Sequence, residues 1–340
     1  MASDPGLLDR PAALEGAMAD AVEALREAGT VVVTGHVNPD GDALGSLLAL
    51  TAALDGLGIT AIPAWGSRDP GEPPAPVDPA WSFLPLLDRV AHPDDVPAAP
   101  DVVLACDSAA AHRLGTLSGV LDGAGTVVVV DHHAVGEAFG DIRVVDPTAS
   151  STGVLALRLI DALGAEVTSA IADALYLAVL TDTGRFGFAA TTPDDHRVAA
   201  RLLEAGADHV GIARAVYESA SPGFLTLVSR VTGRARVDDR MVCSWVSIAD
   251  VADTGAGDTD VDGLIDLLRK VESADVTCLL RETAAGAWRT SLRSRGAVDV
   301  AAVAQGLGGG GHRMAAGFTG HGDVEDVIAA VAARLRGLPS

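Results

Sequence analysis

The sequence predicts an α/β protein of two parts: an N-terminal parallel-sheet domain joined by a helical linker to a smaller α/β C-terminal domain. Three observations carry this reading. Short β-branched runs at 30–37 (TVVVTGHV), 101–106 (DVVLAC) and 126–130 (TVVVV) alternate with segments of helical pattern, as in layered α/β folds. The last two runs are apolar throughout, as strands buried on both faces of a parallel sheet are. The length of 340 residues corresponds to about two domains at ~150 residues each.

Each element follows in order. Residues 12–28 read as an amphipathic helix. The run at 30–37 is a strand that ends in a polar turn, and a helix follows over about 43–54. A strand is expected at 58–65. Residues 66–80 are rich in Pro, Gly and Asp and read as a surface loop. After the strands at 101–106 and 126–130, helices cover 151–163 and 168–181. A further helix opens at Thr192 as N-cap, with Pro193 in the first position and Asp195 three residues on. The connector spans 191–223 and breaks at Ser221-Pro222-Gly223. Beyond it, strands are expected at 242–248, 276–282 and 287–294, and helices at 259–272, 299–306 and 323–336. The expected domains are therefore 12–190 and 224–338.

Composition narrows the functions. With 49% hydrophobic and 21% charged residues, global disorder is excluded. The net charge is −22, and only one of the 24 basic residues is a lysine, Lys270. Such a chain does not coat long duplex nucleic acid, which needs a broad cationic face. A phosphate substrate remains compatible, because metal ions or a local arginine cluster can reverse the field in one cleft. Three cysteines without CxxC spacing form neither a disulfide framework nor a zinc knuckle, and point to a reducing compartment. No apolar signal core and no run of ~20 apolar residues is present. A cytoplasmic protein with no membrane partner is expected.

Four places carry unusual chemistry: His36-Val-Asn-Pro-Asp40-Gly-Asp42, Asp107, Asp131-His132-His133, and Asp182 in LTDTGRFGF. Three of them follow predicted parallel strands, on the sheet edge where ligand sites form. Singly, each has an ordinary explanation as a turn, a strand end or a helix end. Together they gather five aspartates, and like charges at ~4 Å repel by about 4 kcal/mol even at an effective dielectric of ~20. Divalent cations resolve the repulsion. Carboxylate and imidazole donors without thiolate favour manganese-like ions, with magnesium, cobalt or iron as alternatives. Asp40 and Asp42, separated by one glycine, can serve two neighbouring ions, and two ions ~3.5–4 Å apart clamp an in-line phosphoryl displacement. Asp107 is the best candidate to bridge them. Asp131 is read as orienting a histidine, and His133 as a proton donor toward phosphate.

A second element lies at 306–317, GLGGGGHRMAAG. Four consecutive glycines either expose backbone N–H groups as an anion nest or form a tight turn. His312 and Arg313 add a donor and a cation. Residues 285–315 carry four arginines against one aspartate, a basic island suited to an anionic ligand.

In order, HVNPDGDA, CDS, DHH, TDTGRF, SLRS and GGGGHRMAAG resemble the DHH phosphoesterase family with its C-terminal DHH-associated domain. The resemblance is nearest to stand-alone members that are oligoribonucleases and PAP phosphatases, and it covers about 15–335. It implies two Mn²⁺ ions, with Mg²⁺ or Co²⁺ possible. One would be held by His36, Asp40 and Asp107, the other by Asp42, Asp107, His132 and Asp182. A hydroxide between them would attack phosphorus, with His133, Asp107 and Asp131 as the catalytic group. Arg293, Ser294, Gly309, Gly310, Gly311 and His312 would bind the rest of the substrate. The expected substrates are short single-stranded RNA and 3′-phosphoadenosine 5′-phosphate, with cyclic di-AMP and its linear product as the further candidates that the resemblance implies, and the expected assembly is a homodimer. A family II-like inorganic pyrophosphatase and a catalytically silent nucleotide receptor are the alternatives.

Overall fold

The structure, a computed structural model, describes residues 12–337 except 78, 134 and 135; the side chains of Ala80, Asp258, Thr259 and His312 lie outside the description. So do residue 338, the expected C-terminal limit, and the first residues read for a signal core. The chain divides into two units, Met1–Glu218 and Ser219–Ser340.

The first unit is built on five parallel strands: β1 (Thr30–Gly35), β2 (Thr60–Trp65), β3 (Val102–Cys106), β4 (Thr126–Asp131) and β5 (Ile142–Val145), in the order β2-β1-β3-β4-β5. The apolar runs explain this arrangement. Val31, Val33, Leu104, Val128 and Val130 face one core, while Val32, Val103, Ala105, Val127 and Val129 face a second on the other side of the sheet. Alternate residues of one strand thus feed two cores, so these strands show no polar face. The first core is closed by α1 (Ala12–Glu27), α2 (Gly41–Gly56), α3 (Thr152–Leu163) and α4 (Ser169–Asp182). The second is closed by Leu114 and Leu117 of a 3-10 segment, Ala111–Gly123.

The segment expected as a connector is helical, forming α5 (Pro193–Glu204) and α6 (His209–Tyr217). Its helices belong to the first unit, because Leu202 and Ile212 are buried in the first core. Thr192 and Asp195 form the capping box expected of them.

Close approach of α2 and α4 depends on glycine. A Cβ at Gly41 would lie 2.5 Å from Thr181 Oγ1, and one at Gly45 would lie 2.3 Å from the Ala174 carbonyl oxygen. In an exposed helix Gly→Ala gains about 1 kcal/mol. Here the clash reverses the sign: Gly45→Ala is expected to cost ~1–3 kcal/mol, read as a lower midpoint in urea. A gain in stability would contradict the packing.

The second unit has α7 (Phe224–Gly233), β6 (Arg236–Asp238), β7 (Met241–Val246), α8 (Ile248–Thr254), α9 (Asp258–Asp262), α10 (Leu264–Leu268), β8 (Val276–Ala284), β9 (Ala287–Ser294), α11 (Val300–Gln305), β10 (Gly310–His312), β11 (Ala315–His321) and α12 (Val324–Arg336). Its six-stranded sheet runs β10-β11-β9-β8-β7-β6, with only the β7–β8 pair parallel. Three expectations are corrected. The strand at 242–248 stops at Val246, because Ser247 caps α8 through a capping box with Asp250. The helix at 259–272 is two short pieces separated by Gly263. The glycine run is not an open nest throughout: Gly310 and Gly311 enter hairpin strand β10, a Cβ at Gly309 would meet the Gly317 carbonyl oxygen at 2.1 Å, and Gly311 has φ +137°. Among the described residues no helix is long and apolar enough to cross a membrane.

Candidate metal centre

The strand order reverses at β1, since β2 and β3 flank it. Ligand crevices open at such a point beyond the carboxyl ends of the strands. His36 directly follows β1, Asp107 directly follows β3, and Asp131 ends β4, with His132 and His133 just beyond it. Asp40 is the N-cap of α2, its Oδ1 accepting from the N–H groups of Asp42 and Ala43, both at 3.1 Å. Asp182 is the last residue of α4. Six described non-glycine residues have positive φ, and four of them (Asn38, Asp107, Arg185 and Phe186) are at or within four positions of these acids. Backbone strain concentrates in this way at functional sites.

Three sets of donor atoms lie within 4.8 Å of one another: His36, Asp40 and Asp107; Asp42, His132 and Asp182; and Asp107, His132 and His133. The imidazoles are aimed by the main chain. His36 Nδ1 lies 2.8 Å from the Val37 carbonyl oxygen, and His132 Nδ1 lies 3.3 Å from that of Ala149. A carbonyl can only accept, so each Nδ1 carries a hydrogen and each Nε2 is turned to the acids. His36 Nε2 is 3.4 Å from Asp107 Oδ2 and 3.8 Å from Asp40 Oδ2. His132 Nε2 is 3.4 Å from Asp182 Oδ2 and 3.7 Å from both Asp42 Oδ2 and Asp107 Oδ1. These gaps exceed ordinary hydrogen bonds but fit within the ~4.2 Å that two donors can span when each is ~2.1 Å from one ion. The residues therefore fit divalent cations.

The electrostatics agree. Burial pushes Asp42 well above the usual carboxylate range, and the charges of Asp107 and Asp182 push it further. Burial likewise raises Asp182 to about 6, against the pull of His132. Burial works against a charged His36, but Asp107 and Asp40 outweigh it and raise its pKa to about 10. Packed carboxylates of this kind favour states in which positive charge or protons offset them.

Asp131 stands apart from the three donor sets. Its Oδ1 accepts from the His132 and His133 N–H groups at 2.9 and 3.3 Å and from His133 Nδ1 at 2.7 Å. It orients the histidine pair, and this contact raises the His133 pKa. A cavity of about 350 Å³ lies beside His133, with Ser108, Val129, Phe139, Arg143 and Val145 on its walls.

In the second unit, Arg293, Ala315 and His312 share one cross-strand row, and Ser291, Gly317 and Gly310 share another two positions along the strands. The small residues of AAG thus lie beside the basic strand. Ser294 is corrected: it is 1% exposed and accepts from the Gly296 N–H at 3.0 Å. Side chains alternate along a strand, so Ser294 shares the core face with Leu292, and Ser291 shares Arg293's face. The His312 side chain lies outside the described residues.

The helix expected at 151–163 is α3, but sequence reasoning missed that its first residues reach the acids. The Thr152 and Gly153 N–H groups donate to Asp42 Oδ2 and Oδ1 at 2.7 and 2.9 Å, and Thr152 Oγ1 donates to Asp107 Oδ1 at 3.1 Å. The run ASSTG ahead of a predicted helix was the available signal, although it names a cap rather than a partner.

Two family models match: the DHH family N-terminal domain over 30–179 and the DHHA1 domain over 238–337. The chain is 34% identical to the bifunctional oligoribonuclease and PAP phosphatase NrnA of Thermus thermophilus over 291 residues, 86% of this chain and 84% of that protein. In fold it is similar to an exopolyphosphatase-related protein from Bacteroides fragilis, with a TM-score of 0.87 at 24% identity, covering 95% of this chain and 96% of that one. It is also similar to Thermus thermophilus RecJ in complex with Mn²⁺, with a TM-score of 0.55 at 16% identity, covering 99% of this chain and 57% of RecJ.

Proposed function

Because the chain belongs to the DHH family, we propose that it is a metal-dependent phosphoesterase that cleaves short oligoribonucleotides and 3′-phosphoadenosine 5′-phosphate to mononucleotides, with cyclic di-AMP and its linear product as further substrates. The observation that carries this is the pair of donor sets around Asp107 and His132, in a chain one-third identical to an oligoribonuclease and PAP phosphatase.

In this reading His36, Asp40 and Asp107 hold one Mn²⁺, and Asp42, Asp107, His132 and Asp182 the other, with Mg²⁺ or Co²⁺ able to substitute. Oxygen and imidazole donors without thiolate suit these ions. When bound, the ions supply positive charge to the phosphoryl oxygens and make water acidic enough to attack at neutral pH. Asp107 faces a histidine of each set and so holds the two halves in register. His133, held through Nδ1 by Asp131, keeps its proton to higher pH than an ordinary histidine, as a general acid toward the leaving oxygen should. Arg293, Gly309, Gly310, Gly311 and His312 take the phosphate or base of the remaining nucleotide. The −22 charge argues against long duplex nucleic acid as a substrate. A cytoplasmic homodimer completes the proposal, and three free, buried cysteines suit a reducing compartment.

A turnover panel with Mn²⁺ tests it. AMP is expected from di- to tetra-adenylate and phosphate from 3′-phosphoadenosine 5′-phosphate, with pyrophosphate left intact. Turnover of pyrophosphate alone, or of nothing, overturns the reading.

A further inference from the structure

Residues 149–153 carry none of the candidate ligands, yet their polar groups are committed to three of them. The Ala149 carbonyl holds His132, the Thr152 and Gly153 N–H groups hold Asp42, and the Thr152 hydroxyl holds Asp107. The oxygens chosen are those that face the junction of the donor sets. Asp42 Oδ2, which accepts from Thr152 N, and Asp107 Oδ1, which accepts from Thr152 Oγ1, each lie 3.7 Å from His132 Nε2. A carboxylate rotates about its Cβ–Cγ bond; Asp42 is held against that rotation by one fixed donor on each oxygen, and Asp107 by the Thr152 hydroxyl on Oδ1.

The segment is held from its other side as well. Ser150 Oγ donates to Asp195 Oδ1. The other oxygen of Asp195 accepts from Thr192 N at 2.6 Å and Thr192 Oγ1 at 3.0 Å, at the start of α5. Ser150, Ser151, Thr152 and Asp195 are each no more than 2% exposed. At that burial, water does not supply substitute donors. Ser151 already caps α3 through the Val154 N–H, so helix capping does not account for the Thr152 hydroxyl.

We propose that Thr152 is a positioning residue for the metal centre, and that Asp195 fixes the segment bearing it through Ser150. The proposal rests on the metal-dependent reading above. Hydrogen-bond partners of metal ligands are worth about 10–100-fold in metal affinity.

The test is Mn²⁺ titration of the full chain, followed by loss of the free-ion electron paramagnetic resonance signal, with melting of the metal-free protein alongside. Thr152→Val keeps the branched shape and the peptide N–H but removes the hydroxyl, and is expected to weaken Mn²⁺ binding ~10–100-fold. Thr152→Ser restores the hydroxyl and should bind within about threefold of wild type. Ser150→Ala should weaken binding about tenfold. A purely structural role would lower melting temperatures and leave affinity unchanged. Wild-type affinity in Thr152→Val, or equal weakening in the Val and Ser variants, overturns the proposal. If Thr152→Val does not fold, wild-type affinity in Ser150→Ala overturns it. A wild-type chain that binds no Mn²⁺ overturns the metal-centre reading itself, whereas wild-type binding with an unaffected Thr152→Val removes this proposal alone.

Discussion

Asp107→Asn should lower turnover of short RNA by ~10³-fold or more, equivalent to about 4 kcal/mol of transition-state stabilisation, while the protein stays folded. Asp107 is the acid that faces both histidines of the candidate donor sets, His36 at 3.4 Å and His132 at 3.7 Å. Losing its charge therefore weakens both halves of the centre together. Asparagine suits the test, because position 107 has φ +51°, which asparagine tolerates and most residues do not. Asparagine also keeps an oxygen for the Thr152 hydroxyl. In chelator two effects oppose. Asp42 and Asp182 are relieved of a like charge, whereas His36 and His133 lose a partner. The metal-free variant should thus melt within about 1 kcal/mol of wild type, but added Mn²⁺ should no longer raise its melting temperature as it does for wild type. Turnover assays and melts on one preparation check both. Turnover within tenfold of wild type would remove Asp107 from the reacting centre.

The parts of this site that could be read in the sequence are those with a local cause. Runs such as TVVVV become buried parallel strands, and the polar residues that end them must sit on one sheet edge. That is why His36, Asp107 and Asp131–His133 are legible in the sequence as groups on one sheet edge. Asp182 was readable because an acid ending an apolar helix is conspicuous. What escaped depends on distant partners. Thr152 meets Asp42 across 110 positions, and no local pattern encodes that pairing. Strand β5 has only four residues, too few to show a period. Strand β11, AAGFTGH, has a single β-branched residue; it is a strand because β9 and β10 pair with it on either side, which is tertiary context overriding propensity. Ser294 was misplaced for a different reason. The motif SLRS suggests neighbours acting together, but a strand turns neighbours to opposite faces.

Without metal, the protein should lose stability as pH rises from about 5 to 9, and Mn²⁺ should reverse the trend. The sign follows from which state binds more protons. Asp182, raised from 3.8 to about 6, and Asp42, also raised, stay protonated in the folded chain where the unfolded chain has ionised. Stability therefore falls as pH climbs above about 4 and through the raised values of the two acids, about 6 for Asp182. His36, raised from 6.5 to about 10, contributes fully below about 6.5 and loses that contribution as pH rises toward 10. His133, also raised, acts in the same direction. Asp40 and Asp131 are lowered, so their contributions fail only below about 4, outside this range. All the shifts between pH 5 and 9 thus have one sign, and together they amount to a few kcal/mol, or on the order of 10 °C in melting temperature. Divalent ions displace those protons, so the stabilisation from saturating Mn²⁺ should grow with pH as fewer protons compete. Melting curves at pH 5, 7 and 9, in chelator and in Mn²⁺, measure both trends. A chelator curve that is flat or rises toward pH 9 would mean that these imidazoles and carboxylates do not share one buried cluster, and the proposed metal centre would lose its physical basis.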